Sequence, residues 1–342
     1  MTLAIFDYDC LIYSYGFANE TRQIRVRRKS NGKEWLQKNV TEWWGAGKKI
    51  GGLLAEINQK REDKGLAPFT KDHFEIVGTE RDHTPLPYVL ADLRDGIRRI
   101  LNACGATEYM GYIGRGDLDR VERSTIVKYK GNRDDALKPL LYEDIVEYLH
   151  KHHNAEIIRN GDEADDWVVI EALKNKNSVI VAEDKDTLGN PVKVINPTKL
   201  EEGIIDCNQW GKIYRKTVIR GGEEKLGDVA GYGQHWFLFQ LAFGDRVDNI
   251  IANIHSEVKM GEVAVYNRLK DMTNIQDGFK EVVNIYKEMY PHPKTVECWR
   301  GTQIEIDWLY VLSEVYDLVR MKKYEGDNRT VIDFAKHIGV DI

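Results

Sequence analysis

Cysteine is scarce in this chain, and the few cysteines present are widely separated. The sequence has four, at Cys10, Cys104, Cys207 and Cys298, and no two of them form a CxxC pair. This spacing predicts neither a zinc site nor a disulfide framework, and it favours a reducing compartment such as the cytoplasm. The sequence also has no N-terminal signal pattern and no long apolar run, so we expect neither secretion nor a membrane span.

The sequence has no internal repeat and no low-complexity segment. Its 342 residues are 42% hydrophobic, which is enough for a sizeable core in one large domain or two smaller ones. We predict strands at Leu3–Phe6, Thr107–Ile113, Glu156–Arg159, Ser178–Ala182 and Val192–Asn196, and further strands within 203–219. We predict helices over most of 40–104, after Pro139, from Glu163 to about Asn175, and from about Leu226 onward. This alternation predicts a doubly wound α/β domain followed by a helical region.

Carboxylates recur beside these apolar segments. The acids are Asp7 and Asp9 after the first strand, Glu163, Asp165 and Asp166 at a helix start, Asp184 and Asp186 after Ser178–Ala182, and Asp245 and Asp248 after Gly244. Each group has an ordinary explanation as turn residues or as acids that complement a helix dipole. Carboxylates held close together repel one another unless a cation lies between them. Taken together, the groups therefore predict a site for a hard divalent cation, which prefers oxygen ligands.

The local geometry of these acids can also be predicted. Asp7 and Asp9 are two apart, so on an extended strand they would share one face. The same argument places Asp184 and Asp186 on one face of an extended strand. Lys185, which lies between them, would then point to the opposite face. Glu163 and Asp166 are three apart and would share one side of a helix. For Asp245 and Asp248, an ordinary loop explains the acids as well as a metal ligand pair does.

Basic residues are grouped despite a net charge of −6. Arg22, Arg25, Arg27, Arg28 and Lys29 precede Asn31-Gly32, a pair that favours a hairpin or a basic loop. A second group is Lys128-Tyr129-Lys130-Gly131-Asn132-Arg133. On a helix, Lys130 and Arg133 would share one side and bind phosphate, with Tyr129 as a stacking surface. The alternative for this group is a solvated helix face.

The order of these motifs resembles the 5′-nuclease superfamily, which includes flap endonucleases and the nuclease domain of bacterial DNA polymerase I. The resemblance extends from Asp7 to about Leu269. It rests on Ile5-Phe6-Asp7-Tyr8-Asp9, Tyr129-Lys130-Gly131-Asn132-Arg133, Glu163-Ala164-Asp165-Asp166, Asp184-Lys185-Asp186 and Gly244-Asp245-Arg246-Val247-Asp248-Asn249. Trp236-Phe237-Leu238-Phe239-Gln240 and the extra acid Asp9 are similar to 5′→3′ exonucleases of short-tailed phages.

The resemblance implies a PIN-like central sheet and a site with two or more Mg²⁺ ions, for which Mn²⁺ can substitute. Glu163, Asp165 and Asp184 would hold the first ion, with Asp7 and Asp117 nearby, although Asp119 is an equally acidic neighbour of Asp117. Asp186, Asp245 and Asp248 would hold or orient the second ion. Asp9 and Asp166 are further candidate ligands, and Lys130 and Arg133 would contact the scissile phosphate.

The resemblance also implies an organisation and a partner. Residues 1–225 would form the nuclease domain, with a helical arch at about 115–154, and 226–342 a helical DNA-binding region. Only Gly261 survives from the family's glycine hairpin, and Val263 stands at its lysine position, so the helix-two-turn-helix motif is divergent. The expected partner is a DNA duplex with a free 5′ end or a 5′ flap, or an RNA–DNA hybrid. The residues expected to contact it, besides those named above, are Arg22, Arg25, Arg27, Arg28, Lys128 and Gly261. We expect a monomer in the cytoplasm, which is that of the host cell if the protein is phage-encoded.

Two other functions fit parts of the sequence. Phe6-Asp7-Tyr8-Asp9 and Gly244-Asp245 with Asp248 resemble motifs of haloacid-dehalogenase-type phosphatases. Such a phosphatase needs one metal ion and an aspartyl phosphate, so it leaves Glu163 and Asp165 unexplained. The second alternative is a non-catalytic DNA-binding protein. Such a protein would have no use for so many acids near DNA, which is itself a polyanion.

Overall fold

The computed structural model describes residues 2–116, 118–133, 136–159 and 161–342. The helices are α1 (Tyr8–Ala18), α2 (Val40–Trp44), α3 (Gly52–Glu62), α4 (Leu86–Cys104), α5 (Asp119–Arg123), α6 (Tyr142–His152), α7 (Ala164–Lys174), α8 (Gly233–Phe243), α9 (Glu262–Leu269), α10 (Ile275–Met289), α11 (Trp308–Val319) and α12 (Val331–His337). The strands are β1 (Leu3–Asp7), β2 (Glu20–Arg28), β3 (Glu34–Gln37), β4 (Phe74–His83), β5 (Glu108–Gly114), β6 (Ala155–Ile158), β7 (Ser178–Val181), β8 (Lys193–Ile195), β9 (Ile205–Asp206), β10 (Lys212–Arg220), β11 (Glu223–Tyr232), β12 (Gly244–Asp245), β13 (Ile250–Ile251), β14 (Lys294–Glu297) and β15 (Gln303–Ile306).

The chain divides into two compact units. The larger unit contains Met1–Leu11, Arg94–Leu137 and Val146–Ile342, and the smaller unit contains Ile12–Leu93 and Lys138–Ile145. Residues on both sides of position 225 belong to the larger unit. The functional division of the chain into 1–225 and 226–342 stays a prediction.

The larger unit is built on a sheet with the strand order β6-β5-β1-β7-β8-β9. The neighbours from β6 to β8 are parallel, and β9 runs antiparallel to β8. Numbered along the chain, this is the order 3-2-1-4-5-6 of a doubly wound α/β fold. The predicted fold class is therefore confirmed. The order reverses between β1 and β7, and ligands in such folds bind beyond the carboxyl ends of the strands at that point.

The sheet strands are continuous apolar runs because both of their faces are covered. Ile5 of β1 and Ile180 of β7 are fully buried, and they pack in one cluster with Val168 and Val169 of α7. Parallel strands buried on both faces need β-branched and aliphatic residues at successive positions rather than alternation. This packing fixes the start of α7, where three of the predicted acids lie, against the carboxyl ends of the strands.

The later part of the larger unit is mainly helical. Helices α8 to α12 share a core that includes Phe239, Phe279, Tyr286 and Leu312. Throughout the described ranges, no helix combines the length and apolar character that a membrane crossing requires.

The prediction that helix begins at Leu226 is wrong, because β11 continues to Tyr232 and pairs with β10. Gly221 and Gly222 both have positive φ, which lets the chain reverse in a tight hairpin turn.

The smaller unit contains a three-stranded sheet in the order β3-β2-β4. Val26, Trp43, Leu54 and Phe74 form its core. The β2–β3 pairing confirms the hairpin expected at Asn31-Gly32. The prediction of helix over most of 40–104 is wrong for β4, which pairs with β2 along its whole length. Most of β4 is exposed, so its sequence has no apolar alternation by which a strand could be recognised.

Candidate functional site

Most of the predicted acids lie at the carboxyl edge of the sheet, around the point where the strand order reverses. Asp7 is the last residue of β1, and Asp184 follows β7, the neighbouring strand. Glu163 is the N-cap residue of α7, and Asp165 lies in the first turn of that helix. The fold thus brings together carboxylates that are far apart in sequence.

Asp7, Asp9 and Asp165 form one side of this acidic cluster. The Asp9 backbone N–H donates to Asp7 Oδ1 at 3.0 Å, and Asp9 Oδ2 accepts from the Gly114 N–H at 3.0 Å. Asp9 lies in the first turn of α1, so the prediction that it shares a strand face with Asp7 is wrong, although the two carboxylates are neighbours. Asp9 Oδ1 is buried and, among the described residues, accepts no hydrogen bond. It is a buried acceptor directed into a group of other acceptors.

The pKa values of this group are displaced upward. Burial, with repulsion from Asp9 and Asp184, raises the pKa of Asp7 well above its usual range. Burial and the charge of Asp7 do the same to the pKa of Asp165. Burial raises the pKa of Asp9 to about 6 despite the hydrogen bond from Gly114. Clustered acids that are destabilised in their charged form are typical of a functional site.

Asp184, Asp186 and Asp245 form the other side of the cluster. Asp184 Oδ1 accepts from the Asp186 N–H at 2.8 Å, and the Gln240 amide donates to Asp186 Oδ1. Burial and repulsion from Asp184 and Asp245 raise the pKa of Asp186. Lys185 was predicted to point away, but its Nζ lies 2.8 Å from Asp245 Oδ2. The reason is that the chain turns into a 3-10 helix at Lys185–Gly189 instead of continuing as a strand.

A glycine shapes the loop that carries Asp245 and Asp248. Gly244 has φ +85°, and a Cβ at this position would lie 2.2 Å from the carbonyl oxygen of Ile250. Only glycine allows this approach of β12 to β13. The pairing of β12 with β13 joins the two ends of this loop, and both of its acids are buried: Asp245 is 2% exposed and Asp248 is 6% exposed.

Lys130 and Arg133 face the acidic cluster. Lys130 Nζ forms ion pairs with Glu163 and, at 3.8 Å, with Asp248, and Arg133 forms an ion pair with Asp248. The predicted helix is wrong here: Lys130 has φ +52°, and Gly131–Arg133 is a single 3-10 turn. A backbone hydrogen bond of 2.9 Å from the Lys130 N–H to the Asp248 carbonyl oxygen fixes this turn against the Asp248 loop.

Glu163 is the most heavily engaged acid of the cluster. Its oxygens accept from Arg120 at 2.5 Å, from the Tyr129 hydroxyl at 2.8 Å and from Lys130. Burial would raise the pKa of Glu163, but Arg120 and Lys130 outweigh it and lower the pKa to about 2. Tyr129 is only 2% exposed, so its predicted use as a stacking surface is wrong. It is a buried hydroxyl donor to the acids.

Arg120 contacts the acidic cluster, although the sequence did not indicate it. Both of its terminal nitrogens donate to Asp166 at 2.8 Å, and one also donates to the carbonyl oxygen of Arg320 at 2.9 Å. The N–H of Lys322 donates to the same carboxylate at 2.8 Å. Asp166 is fully buried in this ion pair, so the structure does not bring it into the acidic cluster as a free ligand. The Arg120 guanidinium instead holds the first turn of α7 through Asp166 and donates to one oxygen of Glu163.

The remaining predicted residues lie elsewhere or cannot be placed. Asp117 lies outside the described residues. Lys128 Nζ lies 6.0 Å from the centre of the Trp299 ring, and Gly261 is the N-cap residue of α9. In the smaller unit, the four predicted arginines Arg22, Arg25, Arg27 and Arg28 are on β2. Three of these four form ion pairs with Glu20, Glu34, Glu75 and Glu80.

The donor set fits a hard divalent cation in its chemistry. The cluster offers only carboxylate oxygens, one of which is the buried, unbonded Oδ1 of Asp9. In the part of the chain that the structure describes, no three acidic, histidine or cysteine side chains are arranged to hold a metal ion as they stand. Glu163 and Asp248 are occupied by cationic side chains, so they must exchange those partners before they can act as ligands.

No family model matches the chain, and no curated protein sequence matches it significantly. Among solved structures it is similar to the T5 D15 protein co-crystallised with metal ions, at 16% identity and a TM-score of 0.37, over 67% of this chain and 79% of that one. It is also similar to a mutant T5 5′-exonuclease, at 14% identity and a TM-score of 0.35, over 67% of this chain and 77% of that one.

Proposed function

We propose that this protein is a metal-dependent nuclease that hydrolyses phosphodiester bonds at DNA 5′ ends, as an exonuclease or a flap endonuclease. One observation carries the proposal: carboxylates from several separate segments meet where the strand order reverses, and Lys130 and Arg133 face them. Oxygen ligands for metal ions beside phosphate-binding cations suit metal-dependent phosphodiester hydrolysis.

Two groups of residues would hold the metal ions. Asp7, Asp165 and Asp184 lie close enough to repel one another, with Asp9 beside them and Glu163 next to Lys130. Asp186, Asp245 and Asp248 form the second group. When bound, a pair of Mg²⁺ or Mn²⁺ ions activates a water molecule and stabilises the leaving oxygen of an in-line displacement.

Lys130 and Arg133 supply positive charge to the reacting phosphate. In this structure their partners are the carboxylates of Glu163 and Asp248. A phosphate that enters the site offers oxygens of the same charge, and the arginine fork can bind two of them at once. The two side chains would therefore move from the carboxylates to the substrate, which frees Oε1 of Glu163 and Oδ1 of Asp248 for metal binding.

The phosphatase alternative does not account for the site. In that reaction Asp7 would be the nucleophile and would need room for a phosphoryl group. Asp7 is only 6% exposed, and it lies among other carboxylates that repel it. Asp165 and Asp184, which repel Asp7, would have no function in a site with one metal ion.

The partner and setting follow from the same proposal. The substrate is a DNA duplex with a free 5′ end or a 5′ flap, or an RNA–DNA hybrid, bound by a monomer in the cytoplasm. Residues 1–225 supply most of the chemistry, with an arch at about 115–154, and 226–342 contribute Asp245 and Asp248 and hold the DNA. The α9–α10 pair that begins after Gly261 is the element proposed to contact the duplex.

Digestion of end-labelled DNA tests the proposed activity. A linear duplex with one labelled strand is incubated with the protein in Mg²⁺, in Mn²⁺ or in chelator. We expect mono- or short oligonucleotides to be released from the 5′ label in either metal, no cleavage in chelator, and recovery when the metal is returned. A closed circular duplex is the matched control and should resist. Digestion of the closed circle, or release that begins at the 3′ label, would contradict the proposed polarity.

Replacement of Lys130 by alanine should separate catalysis from binding. We expect kcat to fall by about 10², because a charge aimed at the reacting phosphate matters most in the transition state. The Kd for DNA should change much less. Lys128→Ala is the matched control: its Nζ lies over Trp299 rather than in the acidic cluster, so it should alter Kd but leave kcat near the wild-type value. Single-turnover cleavage and anisotropy titrations measure the two quantities, and the same pattern for both variants would contradict the placement of Lys130.

A further inference from the structure

One end of the smaller unit carries a concentration of positive charge in which Arg28 is the only one of the four predicted β2 arginines. Three segments contribute to it: the β2–β3 turn, the loop between α2 and α3, and the chain from the end of α3 to the start of β4. We call this surface the basic end and define it by Arg28, Lys33, Lys48, Lys49, Arg61 and Lys71. Lys33, Lys48 and Lys49 are exposed, and the other three are partly exposed.

Direct contacts hold the three segments together. Arg28 and Arg61 both lie over the Phe69 ring, with guanidinium carbons 5.3 and 3.9 Å from its centre. Lys71 Nζ donates to the carbonyl oxygen of Gly47 at 2.7 Å, which ties the third segment to the loop. The backbone N–H of Lys29 donates to the carbonyl oxygen of His73 at 3.0 Å, which ties the same segment to the β2–β3 turn. The cations therefore form one surface.

The charge of the basic end is not neutralised by carboxylates. Across the described ranges, none of its six cations lies within 4.0 Å of an acidic oxygen. The contrast with the same strand is clear, since Arg25 is bonded to Glu34 and Glu80, and Arg27 to Glu75. The segments 28–33, 45–51 and 69–71 contain no aspartate or glutamate. Exposed acids adjoin these segments: Glu34 follows Lys33 and pairs with Arg25, Glu62 and Asp63 follow Arg61, and Asp72 follows Lys71.

The geometry of the basic end suits phosphate groups. Arg61 Nε donates to the carbonyl oxygen of Ala67 at 2.7 Å, and the ring of Phe69 supports the guanidinium plane, so its terminal nitrogens stay available for oxygen acceptors. The loop with Lys48 and Lys49 is closed tightly at its base. A Cβ on Gly45 would lie 2.7 Å from the Gly51 nitrogen, and the Gly51 N–H donates to the carbonyl oxygen of Trp44 at 2.9 Å, so the two ends of the loop are held together.

We propose that the basic end binds the sugar-phosphate backbone of a nucleic acid, in contacts separate from those of Lys130 and Arg133. The proposal rests on the proposed function only for the choice of nucleic acid among polyanions. Each phosphate contact releases condensed counterions and steepens the salt dependence of binding by about one unit. Paired arginines such as Arg25 and Arg27 would have to break an ion pair first, so they contribute less.

The test is a binding titration of the full chain in chelator, where no cleavage is expected. The probes are fluorescent oligothymidylate and a fluorescent duplex, each measured over a range of salt concentrations. For Lys48→Gln/Lys49→Gln we expect weaker binding by about tenfold or more at low salt, and a salt slope less steep by about two units. Arg25→Gln/Arg27→Gln is the matched control, because it removes the same charge from the same unit. It should change the Kd less than about twofold and leave the slope unchanged.

The outcomes separate this proposal from the proposed function. If Lys48→Gln/Lys49→Gln binds with wild-type affinity, or if the control variant loses as much affinity, the proposal for the basic end is overturned. The nuclease proposal would remain intact. Nucleic-acid binding that depends on Lys48 and Lys49, without any metal-dependent cleavage, would support the proposal for the basic end. The same result would overturn the nuclease proposal. Poly-glutamate and phosphatidylserine vesicles are parallel probes, and equal, equally Lys48-dependent binding to either would overturn the assignment to nucleic acid.

Discussion

Replacement of Asp184 by asparagine is expected to reduce nuclease turnover by several orders of magnitude while DNA affinity stays the same or increases. Asp184 follows β7 beside Asp7 and accepts the Asp186 N–H, so it belongs to both sides of the acidic cluster. The amide oxygen preserves that hydrogen bond but removes the negative charge that a divalent cation requires. Binding does not suffer, because one repulsive charge facing a polyanion is lost. Asp186→Asn is expected to behave in the same way.

The measurements are single-turnover cleavage in Mg²⁺ and Mn²⁺, a DNA titration in chelator and a thermal melt. Asp206→Asn is the matched control, because Asp206 is an exposed acid of the same sheet whose side chain bonds only locally, to Asn208. It should keep wild-type turnover. Full activity of Asp184→Asn and Asp186→Asn in Mg²⁺ would contradict the assignment of these residues as ligands.

Replacement of Arg120 by methionine is expected to destabilise the protein by about 3–5 kcal/mol, because removal of one partner leaves buried carboxylates without compensation. Arg120 donates to Glu163 and to both oxygens of Asp166, and all three side chains are buried. Methionine fills most of the volume, so the loss reports mainly on charge. The effect should exceed that of exposed ion pairs, which contribute at most about 1 kcal/mol.

Two further variants make the Arg120 prediction specific. Arg98→Met is the matched control, because Arg98 pairs with Asp95 at 3.1 Å on an exposed helix face. Adding Asp166→Asn to Arg120→Met should restore part of the stability, since the amide removes the buried charge and keeps an acceptor for the Lys322 N–H. Denaturant or thermal unfolding measures all of these. A loss for Arg120→Met no larger than that for Arg98→Met would contradict the proposed buried ion pair.

The sheet and its acidic edge could be predicted because parallel strands impose strong patterns. Strands buried on both faces are short apolar runs, as in Ser178–Val181, and the chain must turn where each run ends. Acids directly after such runs collect at one edge of the sheet. Asp7 and Asp184 each directly follow such a run, so both could be assigned to one acidic site from the sequence.

What could not be predicted depends on tertiary partners. Lys185 turns toward Asp245 because a 3-10 helix begins there, and an extended-strand argument cannot anticipate that turn. Strand β4 is exposed and charged, and only its pairing with β2 makes it a strand. Arg120 is one of several charged residues in a polar stretch. Its partner Asp166 is close in space but not in sequence, so no local pattern identifies it.

The bridge from Arg120 to Arg320 also bears on the timing of folding. It joins residues that are 200 positions apart, and the neighbouring contact joins Asp166 to the backbone of Lys322. Contacts of such high sequence separation carry a large loop-closure cost and slow folding. A nascent chain cannot close this bridge before Lys322 has been added. The N-terminus of α7 should therefore acquire its final bracing only after most of the chain has been synthesised.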